Sequence, residues 1–514
     1  MRLGELVPLL QRVGLDPIAT TGEADAQVPL HGLAYHSERV HPGDIFVAWK
    51  GARFDGHAFV GEALRRGAVA AIVDQPLGPS VPGLVLQVKD SRRAMAIVAA
   101  EIAGHPTAHL GVVGVTGTNG KTTTSFLVRE VLQTVASTGL LGTVTIAVGA
   151  ESRPVRLTTP EAPDLQEMFR DMLSAGDRYC VMEVSSIALA KHRVDAVAFD
   201  VAVFTNLTKD HIGPNEHADF NDYRRSKAML FERVGRPVLG APSKDMPRGA
   251  VINGDDPEAM RMEAALAPGL PLLRYGLGRA VDVQAEDVRI AATGAQFRIR
   301  YPGGWMECTL RLPGRFNVYN ALAAFCVGLH FGMDAGAIAR AIGRVPGVPG
   351  RLEPIQQGQP FAVYVDYAHT PDGLENVLRA VRDLTQDRVL AVFGCGGDRD
   401  RTKRALMGAI SVRLADRSYL TSDNPRGEDP VAILREIESG ASAATGGEYR
   451  VVPDRREAIG AALADARPGD VVVIAGKGHE TSQIFSDRAV HFDDREEATR
   501  VLEDLGYSQR GAQR

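Results

Sequence analysis

Gly117-Thr118-Asn119-Gly120-Lys121-Thr122-Thr123 decides how the rest of this chain is read. The apolar run Leu110-Gly111-Val112-Val113-Gly114-Val115 before it reads as a buried strand. The stretch 124–132 after it carries apolar residues at helical spacing. A strand, a glycine turn and a helix start form a phosphate cradle. Glycines let the backbone come close, and the free N–H groups of a helix start bind anions. Lys121 can reach the outer phosphates and the Thr122 hydroxyl can ligate Mg²⁺, so the motif points to ATP. The general Walker pattern wants a further glycine five residues before Gly120, where this chain has Val115. A Gly-Lys-Thr turn also arises on surface loops; the strand and helix around this one argue against that.

Outward from the loop, 514 residues leave room for roughly three domains. A hydrophobic share of 45% and a charged share of 24% are those of an ordinary globular protein. The net charge of −5, with no Lys/Arg block, argues against nucleic acid or an anionic membrane as the main partner. No apolar stretch is long enough to span a bilayer, and the first residues lack a long apolar core. Cys180, Cys308, Cys326 and Cys395 are far apart and form no CxxC pair, which fits a reduced, cytoplasmic enzyme.

The pattern divides into three α/β units. Residues 1–108 alternate short strands, at 44–48 and 68–73, with helical stretches. Residues 109–346 open on the phosphate loop and read as a mostly parallel sheet, with near-continuous apolar strands at 179–183 and 201–205. The Pro/Gly stretch Val345-Pro346-Gly347-Val348-Pro349-Gly350 marks the next boundary. Residues 347–514 then carry strands at 362–365, 389–393 and 471–474 with helices between, a doubly wound pattern whose ligands belong at the carboxyl ends of strands.

Polar clusters sit at those strand ends. Glu183-Val184-Ser185-Ser186 follows one strand and Asn206-Leu207-Thr208-Lys209-Asp210-His211 another. A triphosphate needs Mg²⁺ and Mg²⁺ needs oxygen, so Thr122 and Glu183 are candidate ligands, with His211 for a second metal position. The plainer alternatives make Glu183 a helix cap and His211 a packed loop residue. Lys227 lies in a helix expected over 220–231 with Asn221 as its cap, and on that pattern alone is a solvated lysine. Later clusters are Asp366-Tyr367-Ala368-His369-Thr370-Pro371-Asp372, Gly394–Arg401, Asp423-Asn424-Pro425-Arg426 and Gly476-Lys477-Gly478-His479-Glu480. Arginine grips a carboxylate in two places and acids grip ammonium, so this set suits a small zwitterion.

These motifs, with Thr158-Thr159-Pro160 and Gly314-Arg315-Phe316-Asn317-Val318-Tyr319-Asn320, resemble the Mur ligases in order from about residue 30 to 495. The resemblance is to the branch that adds the third residue of the peptidoglycan stem peptide. It implies ATP-dependent amide synthesis through an acyl phosphate, in the cytoplasm, in service of cell-wall growth and division. The first domain would hold the UDP end of UDP-N-acetylmuramoyl-L-alanyl-D-glutamate, the second ATP and Mg²⁺, the third a diamino acid. Lys121, Glu183, His211, Lys227 and His369 would be catalytic, with Lys227 carbamylated by CO₂ to support a metal. Nearby positive charge would help keep its amine neutral. Gly117 to Thr123, Asn317, Asn320, Arg351 and Asp366 would hold ATP. Ser37, Thr158, Thr159, Ser185 and Arg193 would hold the UDP-substrate, and Arg399, Asp423, Asn424, Arg426, Gly476 and Glu480 the amino acid. Arg426 favours meso-diaminopimelate, whose distal carboxylate it can grip, over L-lysine or L-ornithine.

The chain departs from that family's pattern at His36, Glu38, Ile187 and Lys191, all on the side of the UDP-substrate. A folylpolyglutamate- or cyanophycin-type ligase shares the phosphate loop, but should lack the Asp423 to Arg426 motif and a first domain of this size. A non-catalytic nucleotide sensor should have lost some of Lys121, Glu183, His211 and Lys227. No stripe for self-association is evident, so the expectation is a monomer.

Overall fold

The computed structural model describes every residue except 22–24, 52–53, 79–80, 82, 211, 214–215 and 509–514. The first sheet comprises β1 (Ile18–Thr21), β2 (Gly32–Ala34), β3 (Asp44–Val47), β4 (Ala70–Val73) and β5 (Leu84–Gln87), in the order β1-β5-β4-β3-β2. Strands β2 to β5 pair in parallel and β1 closes one edge antiparallel. Residues Asp44 to Val47 and Ala70 to Val73 are buried on both faces, as a parallel strand covered on two sides must be.

The second sheet has eleven strands: β6 (Gly111–Thr116), β7 (Thr138–Leu141), β8 (Ile146–Val148), β9 (Glu151–Arg153), β10 (Tyr179–Glu183), β11 (Val201–Phe204), β12 (Gly249–Asn253), β13 (Leu272–Gly276), β14 (Val283–Ala291), β15 (Gly294–Tyr301) and β16 (Gly304–Leu310). Their order is β16-β15-β14-β13-β12-β11-β6-β10-β7-β8-β9. The run from β14 to β7 is parallel, and an antiparallel meander extends each end. Alternation along β6 sends Val113 and Val115 into the core beneath the helices Lys121–Gln133 and Arg315–His330. Val112 goes to the opposite core, beneath Ala162–Ser174 and Phe220–Arg233. Each such side chain contributes about 1.5–3 kcal/mol by leaving water. Chain order reverses beside β6, with β11 on one side and β10 on the other, and a parallel sheet opens its ligand crevice at such a point.

The third sheet comprises β17 (Glu353–Pro354), β18 (Ala362–Asp366), β19 (Val389–Phe393), β20 (Arg417–Leu420), β21 (Glu448–Val451) and β22 (Val471–Ala475), in the order β17-β18-β22-β19-β20-β21. All neighbours but β17 and β18 are parallel. A hairpin of β23 (Ser482–Ile484) and β24 (Ala489–His491) follows. This is the α/β architecture read from the sequence.

Two local expectations are corrected. The phosphate-loop helix begins at Lys121, three residues before the first residue with clear helical periodicity, because Gly120 at φ +83° ends the turn. The helix Phe220–Arg233 is capped by Asp219, whose carboxylate accepts from Asp222 N at 2.7 Å, and not by Asn221. Asn221 lies inside the helix and accepts from Arg224. The four cysteines are buried free thiols. No helix among the described residues is long and apolar enough to cross a membrane.

Candidate active site

The phosphate loop occupies only the residues between the end of β6 and Lys121. Val115, where the Walker pattern has a glycine, is inside β6 and pairs with Glu183 and Val203. Gly117 takes the role of the first loop glycine. Its φ is +153°, and a Cβ there would lie 1.8 Å from Thr205 Oγ1. Thr205 Oγ1 donates to Asn119 O at 2.6 Å, and Asn119 N donates to Asn206 Oδ1 at 2.8 Å, so the end of β11 braces the loop. Thr118 Oγ1 lies 3.1 Å from the Tyr223 hydroxyl. Thr122 and Thr123 are buried in the first turn of the helix. Lys121 Nζ donates to the Gly117 and Thr118 carbonyls at 2.9 and 2.8 Å, folded over the cradle that an anion would enter. Burial lowers its pKa, and Glu183 and Asp210 oppose that shift.

Glu183, at the end of β10 and 1% exposed, joins two sides of the site. Thr122 Oγ1 lies 3.2 Å from its Oε2, and Thr143 donates N–H to its Oε1 at 2.8 Å. The Thr143 hydroxyl is 3.0 Å from Glu183 Oε2 and 3.1 Å from Thr158 Oγ1. Glu183 therefore caps no helix; Ser185 caps Ser186–Ala190 by accepting from Ala188 N. From the third domain, Arg351 Nη2 donates to Thr122 Oγ1 at 3.0 Å. Lys227 is not a solvated lysine: it is 1% exposed, and its Nζ donates to Gly117 O at 2.7 Å. Its pKa is held well below the usual lysine value, first by burial and then by Lys121, with Asp210 opposing. Burial thus outranks the neighbouring charge on which the sequence reading relied. His211 lies outside the described residues. Among the described residues no group of three or more His, Cys, Asp or Glu side chains could by itself hold a metal ion. Thr122 and Glu183 fit an incomplete oxygen shell, the kind Mg²⁺ fills with phosphate and water.

Across this loop stands the third domain, and between them is a cavity of about 340 Å³. Lys121, Thr122, Glu183, Lys227, Asn320, Arg351, Asp366 and His369 all line it. Asn317 does not. It lies behind Asn320, accepts from Asn320 Nδ2 at 2.9 Å, and donates to Pro313 O at 2.7 Å. Asn320 Oδ1 in turn accepts from Thr124 Oγ1 at 3.1 Å. Asp366 caps the turn after β18, accepting from Leu352 N and Ala368 N at 2.7 and 2.8 Å; burial raises its pKa and Arg351 opposes. His369 has Nδ1 2.8 Å from Tyr367 O, which places its proton there and leaves Nε2 as an acceptor. Burial, with Lys403 next, pushes its pKa down to about 4, so the ring is neutral. Asp372 reaches back to the loop, accepting from Asn119 Nδ2 and from Thr208 Oγ1.

Thr159 Oγ1 donates to Glu183 O at 2.9 Å and accepts from Ser185 N at 3.1 Å, so Thr158, Thr159 and Ser185 form one wall beside Glu183. Arg193 backs that wall, donating to Thr159 O at 3.0 Å and pairing with Glu161 at 2.8 Å; among the described residues its buried Nε has no partner. Arg92 of the first domain also pairs with Glu161, at 2.7 Å. Ser37 stands apart, in a second cleft of about 1050 Å³ between the first and central domains, with Tyr35, Trp49 and Arg156.

The remaining candidates meet at the ends of β19, β20 and β22. Gly476, at φ +117°, lets Asp423 approach: a Cβ there would be 2.7 Å from Asp423 Oδ2. Asn424 Nδ2 donates to Glu480 Oε2 at 2.8 Å. Arg426, held at φ +51° by its N–H bond to Ile484 O, donates to Gly397 O at 3.0 Å. Arg399 is its neighbour across Gly396. Asn206, Phe316 and Tyr319, which stood in quoted motifs without a role of their own, also line the central cavity, as do Thr143 and Asn376, which no motif contained. Thr143 follows β7 in a Gly/Thr turn, a local signal that could have found it.

A phosphate loop facing strand ends rich in Asp, Asn and Arg across a shared cavity defines an α/β protein built to hold a nucleotide opposite a small polar ligand. Three sequence profiles match in order: "Mur ligase family, catalytic domain" over residues 29–103, "Mur ligase middle domain" over 115–328 and "Mur ligase, glutamate ligase domain" over 350–478. UDP-N-acetylmuramoyl-L-alanyl-D-glutamate–2,6-diaminopimelate ligase of Geobacillus kaustophilus is 46% identical over 475 residues, 92% of this chain and 95% of its own. UDP-N-acetylmuramyl-tripeptide synthetase of a Roseiflexus species is 44% identical, over 93% of this chain and 95% of its own. A solved UDP-N-acetylmuramoyl-L-alanyl-D-glutamate–2,6-diaminopimelate ligase superposes with a TM-score of 0.67 at 30% identity, covering 99% of this chain and all of that one. The chain belongs to the Mur ligase family, and as a member is an ATP-dependent ligase.

Proposed function

We propose that this chain joins meso-diaminopimelate to the D-glutamyl carboxylate of UDP-N-acetylmuramoyl-L-alanyl-D-glutamate, the reaction named in its relatives and a step of peptidoglycan precursor synthesis. One observation carries the reading: Glu183 bonds Thr122 of the phosphate loop on one side and, through Thr143, Thr158 on the other. A γ-phosphate on the loop and a carboxylate on the threonine wall would therefore meet beside one acid. A substrate carboxylate oxygen attacks the γ-phosphorus and ADP leaves. The amino nitrogen of the diamino acid then attacks the acyl carbon and phosphate leaves, with one proton lost from nitrogen. Lys121 would neutralise charge on the transferred group, and positioning would supply most of the acceleration. Thr122 and Glu183 would hold Mg²⁺, which supplies charge neutralisation when bound. Burial and the neighbouring Lys121 favour the uncharged amine of Lys227 over the ammonium, and the uncharged amine is the form that takes up CO₂, which supports its carbamylation.

The first domain (1–108) would seat the UDP end in the cleft at Ser37, the central domain (109–346) ATP, and the third (347–514) the diamino acid. Arg426 and Arg399, side by side, suit the second carboxylate of diaminopimelate, which L-lysine and L-ornithine lack. The buried free thiols support a reducing, cytoplasmic setting, and we take the monomer as the working unit. The test is phosphate release with ATP, Mg²⁺ and the UDP-dipeptide substrate, offering diaminopimelate, lysine, ornithine or no amino acid. Turnover with diaminopimelate alone is expected. Turnover with lysine or ornithine instead would overturn the role of Arg426 and leave the ligase standing; no turnover with any of them would end this reading.

A further inference from the structure

The motif Gly476-Lys477-Gly478-His479-Glu480 contains a lysine that the reaction above does not use. Lys477 is fully buried. An ammonium without solvent must be paired and hydrogen-bonded, or its burial is strongly unfavourable. Lys477 spends its three protons on three acceptors: Ser482 O at 2.6 Å, Asn424 Oδ1 at 3.2 Å and Glu480 Oε2 at 3.3 Å. Two of those acceptors are the residues placed in the amino-acid pocket.

The consequences follow from the donor and acceptor inventory of each group. Asn424 Oδ1 receives Lys477 and also Ile484 N at 3.0 Å, so its oxygen is fixed towards the β23 hairpin. Its Nδ2 must then face the other way, and one of its two protons goes to Glu480 Oε2 at 2.8 Å. Among the described residues the second Nδ2 proton of Asn424 meets no acceptor, and we assign it to a ligand. Glu480 has Oε2 held twice, by Lys477 and Asn424, while its side chain stays 32% exposed. That leaves Oε1 for a ligand ammonium. The same hairpin carries Ile484 O, which accepts from Arg426 N at 3.0 Å, and Gln483, whose Nε2 donates to Asp423 O at 2.8 Å. One buried ammonium thus ties together the backbone and side chains on which Asp423, Asn424, Arg426 and Glu480 depend.

We propose that Lys477 is the positioning residue of the amino-acid pocket: it sets the amide orientation of Asn424 and the free oxygen of Glu480 without touching the diamino acid. This rests on the proposed ligase reaction. The experiment measures KM for diaminopimelate, for ATP and for the UDP-dipeptide substrate separately, in the full-length enzyme and in Lys477→Met. A methionine fills the same slot with no donor. The expected result is a KM for diaminopimelate raised roughly 10- to 100-fold, with the other two KM values within about 2-fold. Three KM values that stay together, whatever happens to kcat or to the melting temperature, would overturn the proposal. Absence of turnover in the unaltered enzyme would instead count against the ligase reading. If Lys477→Met does not fold, Lys477→Met/Glu480→Gln removes the buried ammonium together with its half-buried carboxylate partner and is compared with Glu480→Gln alone. A further rise of about 3-fold or more in the diaminopimelate KM, acting through Asn424, is expected; equal values would overturn the proposal.

Discussion

Lys227 shows how far one residue's meaning depends on its neighbours. In the chain it follows Arg224, Arg225 and Ser226 in an amphipathic stretch, and nothing local separates it from a solvated lysine. In the fold it is sealed against Gly117 O and 4.6 Å from the Tyr223 ring. That burial lowers its pKa and so favours the uncharged amine, the form that accepts CO₂. Lys227→Ala is therefore expected to lower kcat by on the order of 100-fold or more, and added short carboxylic acids to restore part of it, since they replace the lost negative group. Full activity without any added acid would remove the carbamate role. Asn317 gives the opposite lesson: its motif points to the nucleotide, but its amide is spent on Asn320 and Pro313 O. It acts on the cavity only through Asn320.

At the scale of elements, the phosphate loop depends on its contact with the end of β11. Gly117→Ala would place a methyl group 1.8 Å from Thr205 Oγ1. Either the loop or the β11 end must move, at about 1–3 kcal/mol, and the anion cradle moves with it. ADP binding measured by titration should weaken at least 10-fold, and unchanged affinity would show that the loop tolerates the shift. The helix Pro371–Arg382 approaches the same loop from the third domain and presents Asp372 to Asn119 and Thr208. Asp372→Ala is expected to raise KM for ATP roughly 3- to 10-fold and to leave KM for the diamino acid in place. Equal increases in both would mean that the contact supports the domain as a whole and not the nucleotide side of the cleft.

At the scale of the whole molecule, three histidines set opposing pH dependences. His192 lies between Asp90 of the first domain and Asp195 of the second, and those carboxylates, Asp195 first, raise its pKa from the usual 6.5 to about 9. A raised pKa gives stability that is complete below about pH 6.5 and lost as pH rises through about 9. After allowance for its partial exposure this is of order 1–2 kcal/mol. His192→Gln should flatten the fall in melting temperature between those pH values; an unchanged slope would exclude His192 as its source. His369 and His479 have pKa values pushed down to about 4, chiefly by burial, so they oppose acid. The unfolded chain binds more protons between pH 6.5 and 4, and stability should fall there by up to about 1.4 kcal/mol per pH unit for each ring.

What the sequence determined by itself is what short-range chemistry can encode. The parallel strands were legible because β11, β19 and β22 are apolar throughout and β6 and β10 are so up to a polar last residue, and the phosphate loop because its strand, glycines and helix start are contiguous. Helix ends were legible only to within a few residues, since Asn221 and Asp219 both make acceptable caps and only geometry chose between them. Tertiary structure decided the rest. Arg351 meets Thr122 across 229 residues and Asp372 meets Asn119 across 253, separations over which no periodicity carries information. The burial of Lys227 and Lys477 was likewise invisible, because a lysine's environment is set by which surfaces close over it. Those surfaces exist only once the sheets have packed and the third domain stands over the second.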